Sequence, residues 1–229
     1  MQPSYKIASP TGSLVLEQNK VLRNTYLMLA LTMIPTVIGA FIGLSTNFSF
    51  MAQYPIMAPL LMFAVMMGML LAVTALRNSV WGIAALLGFT FVAGWFLGPI
   101  LQVGLHLKNG AQLVGMAAGG TGLIFFSLAT LATVTKKDFS FMGKFLFIGV
   151  ILLIVASLAN VFFQIPALSL TISAIAVMIF SAYILFDISR IVNGGETNYV
   201  MATMALYLDI YNIFINLLSL LMAFSGERD

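Results

Sequence analysis

The sequence predicts an all-α membrane protein with seven transmembrane helices. Of its 229 residues, 61% are hydrophobic and only 7% are charged, whereas a soluble domain carries about 25% charged residues. The apolar residues form long runs rather than an alternating pattern, and most Lys and Arg residues lie between those runs. Lipid is therefore the expected solvent, and we expect a single bundle that comprises residues 1–229.

Each predicted helix is a run of about 20 mostly apolar residues, which is the length that crosses a bilayer. The seven segments are residues 25–44, 55–76, 80–103, 112–134, 145–163, 167–188 and 200–223. Residues 1–22 form a polar tail that lacks the pattern of a cleavable signal peptide, so the first helix is expected to direct insertion. Residues 224–229 form a short tail after the last helix.

Composition excludes several kinds of site. The chain has no cysteine, and His106 is its only histidine, which removes zinc thiolate sites and multi-histidine metal sites. The net charge is +3, but the ten Lys and Arg residues are scattered at helix ends instead of forming a stripe. We therefore expect neither a nucleic-acid partner nor a bound cofactor.

Glycines four residues apart recur inside the predicted helices. The three pairs are Gly39 with Gly43, Gly94 with Gly98, and Gly115 with Gly119. In a membrane, such small residues let two helix backbones approach closely. The spacing is compatible with a dimer face, but packing inside the bundle is favoured because seven helices have many internal contacts to make.

Two aspartates stand out because most charged residues lie in loops. Asp209 lies nine residues into the seventh predicted helix, roughly 13 Å from its start at about 1.5 Å per residue. A carboxylate at that depth is costly if it is ionised and alone, so it should be protonated, paired or in contact with water. Asp187 lies near the end of the sixth predicted helix. Carboxyl groups in membrane helices are rare and mark ion or proton paths.

The seventh predicted helix carries further polar residues on the face of Asp209. Asn212, Asn216 and Ser219 follow it at offsets of three, seven and ten, which at about 100° per residue form one narrow stripe. Such a stripe should face other helices or a wet cavity, so the seventh helix is expected at the centre of the bundle. The three residues are candidates to line a pore, and hydrogen bonding between helices is the alternative role for each of them.

If the carboxyl groups of Asp187 and Asp209 came together in a low-dielectric site, they would share one proton. With that proton the pair can hold the sixth and seventh helices together, and without it the two carboxylates repel unless a cation compensates. Arg77, at the end of the second helix, and Arg190, three residues after Asp187, are the candidate counter-charges. Arg77 could equally be a basic anchor at the membrane surface. Two carboxylates also suit calcium, but a full site takes about six to eight oxygen ligands, so only weak, transient binding is expected.

Five stretches of the sequence resemble the Bax inhibitor-1 (TMBIM) family, and its bacterial branch in particular. They are KVLRNTY (20–26), GFTFVAGWFLGPIL (88–101), TKKDFSFMG (135–143), YILFDISRIVNGGETNY (183–199) and ALYLDIYNIFINLL (205–218). The resemblance implies a fold in which the last of seven helices is surrounded by the other six. It also implies a pH-sensitive calcium leak in the bacterial inner membrane. The leak's aspartate pair corresponds to Asp187 in LFDISRI and Asp209 in LYLDIYN.

The resemblance implies a second class of function as well. Bacterial members are reported to associate with the ATP-dependent membrane metalloprotease that degrades membrane proteins, and residues 1–18 would offer such a protease a polar tail. Catalysis is not expected, because the sequence has ALYLD where presenilin-type aspartyl proteases have G-x-G-D. It also lacks the G-x-S-G of rhomboid-type serine proteases and the seventh-helix lysine of retinal proteins.

Basic residues predict the orientation, because short cytoplasmic loops retain Lys and Arg. If the N-terminus is inside, only Lys108 and Arg228 are external. Eight basic residues are then cytoplasmic: Lys6, Lys20, Arg23, Arg77, Lys136, Lys137, Lys144 and Arg190.

We predict a cytoplasmic N-terminus and an external, periplasmic C-terminus. A phosphatase reporter, which is active only outside, should be active at the C-terminus and silent at the N-terminus, and a cytoplasmic fluorescent reporter should give the reverse. Two termini on the same side would exclude seven crossings and, with them, the depth assigned to Asp209.

Overall fold

The structure is a computed structural model that describes the backbone of residues 10–226 and the side chains of residues 18–225. The described residues form helices, one 3-10 turn at Ser140–Met142 and connecting loops, with no β-strand among them. The α-helices are α1 (Pro10–Ser45), α2 (Ser49–Gln53), α3 (Met57–Leu76), α4 (Val80–Phe96), α5 (Gly98–Leu105), α6 (Gly110–Thr135), α7 (Gly143–Phe163), α8 (Pro166–Val192) and α9 (Tyr199–Gly226).

Seven stretches within these helices are long and apolar enough to cross a membrane, which confirms the predicted fold class. We call them spans one to seven. Spans one and two lie in α1 and α3. Span three consists of α4 together with α5, and span four is α6. Span five is α7 with the preceding 3-10 turn, and spans six and seven are α8 and α9. The short helix α2 connects the first two spans.

Span one is longer than the sequence predicted. Helix α1 has 36 residues, which is about 54 Å at 1.5 Å per residue against a hydrocarbon thickness of about 30 Å. Its first turns therefore project beyond the bilayer, and the predicted tail of residues 1–22 is helical from Pro10 onwards. Residues 1–9 and 227–229, and with them Lys6 and Arg228, lie outside the described part of the chain.

Span three is broken at Leu97 rather than continuous. Pro99 lies in the first turn of α5, where its missing N–H removes no helical hydrogen bond. Just after the break, Gln102 Nε2 donates to the carbonyl oxygens of Gly43 and Thr46 at 2.9 and 2.8 Å. These bonds satisfy carbonyl groups at the C-terminal end of span one that have no partner within their own helix.

Spans one and three pack closely through glycines. A Cβ atom added at Gly39 would collide with the carbonyl oxygen of Phe91, and one added at Gly94 would collide with that of Thr36. The helix backbones therefore touch at a distance that only glycine allows.

Two of the three glycine pairs serve this internal packing. Besides Gly39 and Gly94, a Cβ atom added at Gly98 would lie 2.6 Å from the carbonyl oxygen of Gly43. The third pair makes no such contact, because a Cβ atom at Gly115 or Gly119 would meet nothing within 4 Å.

Span seven lies at the centre of the bundle, as the sequence predicted. It packs against spans one, three, four and six, whereas spans two and five face it across a cavity. Its side chains Leu206, Tyr207, Ile213 and Leu218 are almost completely buried. The last helix is therefore surrounded by the other six.

Of the basic residues whose side chains the structure describes, all but Lys108 lie at one end of the bundle. We call it the basic end, and it comprises the start of span one, residues 77–79, residues 136–139 and residues 193–198. The far end comprises residues 46–56, 106–109 and 164–165. We predict from the positions of the basic residues that the basic end faces the cytoplasm.

We predict that Gly94→Leu destabilises the bundle and that Gly115→Leu does not. Overpacking the contact between spans one and three should cost roughly 3 kcal/mol or more, because the obstructing atoms belong to backbone and cannot rotate away. Thermal unfolding in detergent, followed by intrinsic fluorescence, compares the two variants. Equal loss of stability in both would show that helix propensity, not the close contact, controls the effect.

Candidate functional site

The structure brings the carboxyl groups of Asp187 and Asp209 within hydrogen-bond reach of each other. Asp187 lies in the last turns of span six and Asp209 in span seven, and they are only 9% and 4% exposed. Oδ2 of Asp209 is buried and has no hydrogen-bond partner among the described residues. Because a hydrogen bond between two carboxyl groups needs a proton on one of them, this arrangement fits one shared proton.

Asn198 fixes the start of span seven and therefore the position of Asp209. Its Oδ1 accepts hydrogen bonds from the N–H groups of Val200 and Met201 at 3.0 and 3.1 Å, as a helix N-cap does. Its Nδ2 donates to the carbonyl oxygen of Arg77 at 3.1 Å, which ties span seven to the end of span two. The sequence analysis did not single out Asn198. An Asn directly before a long apolar run is an N-cap signal that identifies it.

Ser189 holds the end of span six in place near Asp187. Its Oγ donates to the carbonyl oxygen of Lys137 at 3.0 Å and accepts from the N–H of Phe139 at 2.9 Å. Asn193 Nδ2 donates to the Ser189 carbonyl oxygen at 2.9 Å. The loop of residues 136–139 is thereby bonded to span six. Sequence reasoning missed Ser189, because its partners lie about 50 residues away in the chain.

The two candidate counter-charges have different surroundings. Arg190 Nη1 lies 4.0 Å from Asp187 Oδ1, and its Nη2 lies 3.6 Å from Glu196 Oε2, an acidic neighbour that the sequence analysis did not consider. Arg77 is exposed and forms no ion pair with any residue whose side chain is described. The structure therefore places Arg190, and not Arg77, beside the carboxyl pair.

The polar residues of the stripe bond to their own helix. Asn212, Asn216 and Ser219 each donate to the carbonyl oxygen four residues earlier, at 2.8, 2.8 and 2.9 Å. Among the residues whose side chains are described, these donors form no hydrogen bond to a neighbouring helix. One N–H of each amide is engaged in this way, and the amide oxygens remain available as acceptors.

Two adjoining cavities follow this stripe. One of about 360 Å³ lies between spans two, five, six and seven and has Asn212 and Asn216 on a wall that is otherwise mostly apolar. The other, of about 870 Å³, continues to the far end at Gln164 and Pro166 and has Asn216 and Ser219 on its wall. Together they form a route along span seven from the far end into the bundle.

This route stops short of the carboxyl pair. Asp209 precedes Asn212 by one helical turn but lines neither cavity. On span six, Phe180 lines the cavity, and Tyr183 lies between Phe180 and Asp187, close enough to interact with both carboxyl groups. The pair and Tyr183 therefore lie between the cavities and the basic end along spans six and seven. Tyr183 was missed as a site residue, although a position four residues before Asp187 on a helix is a signal for it.

A cation at this pair would meet two carboxyl groups. Within residues 18–225, no group of three or more His, Asp or Glu side chains could hold a metal ion. Calcium takes about six to eight oxygen ligands in a stable site. The two carboxyl groups alone therefore supply fewer ligands than a stable calcium site needs.

Comparison with known proteins shows that almost the whole chain matches one family. The family model described as inhibitor of apoptosis-promoting Bax1 matches residues 18–226. The Modulator of FtsH protease YccA of Escherichia coli strain K12 is 40% identical over 207 residues, which cover 90% of this chain and 91% of that protein. An uncharacterized protein of Neisseria meningitidis serogroup A is 37% identical over 214 residues, 92% and 93% of the two chains. An uncharacterized membrane protein of Vibrio cholerae is 40% identical over 206 residues, 90% of each chain.

Proposed function

The chain belongs to the Bax inhibitor-1 family, and on that premise we propose that it is a pH-sensitive leak for calcium or a similar cation in the bacterial inner membrane. One observation carries the proposal. Two carboxyl groups lie in contact inside the bundle, about one helical turn beyond the inner end of cavities that reach the far end. Their shared proton makes the barrier between those cavities and the basic end sensitive to pH.

The physical basis of the gate is the cost of two charges in a low-dielectric site. With one proton between them, Asp187 and Asp209 tie spans six and seven together. When both are ionised, they repel strongly because little water is present to screen them. A cation between the two carboxylates offsets that repulsion, so protons and cations compete for the same place. The charge state of the pair then decides whether spans six and seven stay together.

The residues that line the cavities offer oxygen atoms that a passing cation can contact. The amide oxygens of Asn212 and Asn216 and the hydroxyl of Ser219 are acceptors along the route. With the N-terminus in the cytoplasm, the basic end is cytoplasmic and the cavities open to the outside. The pair would then close the cytoplasmic end of the path.

Modulation of a membrane protease is the second candidate function. It rests on the relative from Escherichia coli, which is named a modulator of FtsH protease and covers 90% of this chain. Such a role needs a surface or segment that the protease meets, and the start of α1, which projects beyond the bilayer at the basic end, is the segment we propose for it.

We predict that Asp187→Asn and Asp209→Asn each change the pH dependence of calcium flux, and that the double variant behaves like one of the single variants. Removing either carboxyl group abolishes the shared proton, so the second substitution has nothing left to remove. Calcium flux into proteoliposomes of the purified chain, measured across a pH series, tests this. Asp138→Asn is the matched control, because Asp138 is an exposed acid at the same end, outside the pair.

Additive effects of the two substitutions would mean that Asp187 and Asp209 are independent sites. If both variants fold and keep the flux and pH profile of the unmodified chain, the aspartates are structural and the gate is wrong. The protease function would then be the leading one. Degradation of a membrane substrate by the reconstituted protease, with and without this chain, tests it separately.

We predict that Arg190→Ala shifts the midpoint of the calcium flux, measured against pH, to higher pH. Arg77→Ala should shift this midpoint less than any change at Arg190 or the aspartates does. Without the guanidinium group at 4.0 Å, the Asp187 carboxyl gives up its proton less readily. The shift should be roughly half a pH unit, since the ion pair is partly exposed. Loss of all pH control in the Arg77 variant would contradict the placement of Arg190 as the counter-charge.

A further inference from the structure

A large cleft lies between spans one and four, on a part of span seven that the cation route does not use. Its volume is about 900 Å³. The walls are residues 26–37 of span one and residues 118–134 of span four, and residues 207–214 of span seven form the floor. Tyr26 of span one contacts Phe125 of span four, with ring centroids 6.2 Å apart, and elsewhere along the cleft the two spans stand apart, so the cleft opens laterally in the bundle.

The rim of this cleft faces the hydrocarbon of the bilayer. Val37, Phe126 and Val134 line it and are 52%, 69% and 74% exposed. These three side chains lie on spans that cross the membrane, so the medium that meets them is lipid. Any occupant of the cleft therefore enters from the bilayer.

The hydroxyl groups on the floor of the cleft, and those of Thr36 and Thr121 on its walls, are already satisfied by the protein. The hydroxyl groups of Tyr207 and Thr36 bond to each other at 2.9 Å, and Tyr211 donates to the carbonyl oxygen of Ala93 at 2.9 Å. Thr121 donates to its own helix at 2.7 Å. The surface that remains is hydrocarbon, which suits an acyl chain better than a polar ligand.

Four basic residues lie at the basic end of the two spans that form the walls of the cleft. Lys20 and Arg23 precede Tyr26 by two turns and one turn on span one, and Lys136 and Lys137 directly follow span four. All four are exposed, and none forms an ion pair with a residue whose side chain is described. Asp138, the acid in the same loop, accepts a hydrogen bond from the N–H of Ser140 at 2.8 Å. The two walls therefore carry four positive charges at their basic end, which is the level of lipid headgroups, and we call this part the mouth of the cleft.

Lys136 has a backbone conformation that favours glycine. It ends α6 with φ of 51°, in the left-handed region, where a residue with a Cβ atom is disfavoured and glycine is the usual occupant. Unlike glycine, a lysine at this position adds a cationic side chain at the end of span four.

We propose that the cleft binds an anionic phospholipid of the surrounding bilayer. One acyl chain lies between spans one and four against the floor of span seven. The phosphate group lies at the basic end between Arg23 and Lys20 on one side and Lys136 and Lys137 on the other. Both parts of the ligand are needed, because the walls recognise hydrocarbon and the mouth recognises negative charge.

The test is thermal unfolding of the full chain in detergent against three probes. Phosphatidylglycerol should stabilise the chain at lower concentration than phosphatidylcholine with the same acyl chains. Glycerol 3-phosphate, which has the phosphate without the chain, should not stabilise it. Equal stabilisation by the two lipids, or stabilisation by glycerol 3-phosphate alone, would overturn the proposal.

Filling the cleft tests the position of the acyl chain. Gly122 lines the cleft, and a Cβ atom there would meet nothing within 4 Å. Gly122→Leu should therefore fold normally and weaken the apparent affinity for phosphatidylglycerol by about tenfold or more, as an occluded site would. Gly119→Leu is the matched control, because Gly119 has the same open surroundings on the same helix but does not line the cleft. If both variants keep the affinity of the unmodified chain, the lipid does not lie in the cleft.

Removing single basic residues tests whether the phosphate group binds at the mouth of the cleft. Arg23→Ala and Lys136→Gly should each weaken the affinity for phosphatidylglycerol about fivefold, the effect of one basic contact with a lipid surface. Lys136→Gly should do so without loss of thermal stability in neutral lipid, because it removes the conformational strain at that position. Lys144→Ala is the control, since Lys144 is exposed at the same end but lies on span five, which packs against span six. Equal weakening by all three variants would show a diffuse surface charge and no site.

Discussion

Asp209 places a carboxyl group roughly 15 Å along span seven, at a depth where hydrocarbon offers it no hydrogen bond and no screening. The helix that carries this group has to be enclosed by protein, and spans one, three, four and six pack around it. The group also needs a partner, and Asp187 on span six is the one that the structure supplies. The centre of the bundle and the contact between spans six and seven both follow from the need to bury this acid.

The packing around span seven differs from side to side. Spans one and three meet through glycines such as Gly39 and Gly94, where the helix backbones touch at a distance that only glycine allows. Spans two and five instead stand off across cavities beside Asn212 and Asn216. At the basic end, Asn198 and Ser189 bond the loops to the helix ends. A closely packed side and a loosely filled side of the bundle therefore meet at the carboxyl pair, which is where the proposed gate lies.

Span seven also separates two cavities of different chemistry. The stripe from Asn212 to Ser219 leaves acceptor oxygens along the route from the far end. The hydroxyl groups of Tyr207 and Tyr211 are instead bonded to partners on spans one and three, so the cleft they line presents hydrocarbon. The same helix thus has acceptor oxygens on the face toward the route and a mostly apolar face toward the cleft, and the two proposals rest on that difference.

The sequence by itself determined the seven spans, the depth of Asp209 and the polar stripe after it. These are local properties, since a run of about 20 apolar residues and an offset of three or seven positions need no partner elsewhere in the chain. Only the tertiary structure decided that Arg190 lies beside the carboxyl pair and that Asn198 bonds to the end of span two. It also decided that Ser189 bonds to residues 136–139 and that a cleft lies between spans one and four. Apart from Arg190, each depends on residues far apart in the chain, whose distance is set by how the helices pack and not by their spacing in sequence.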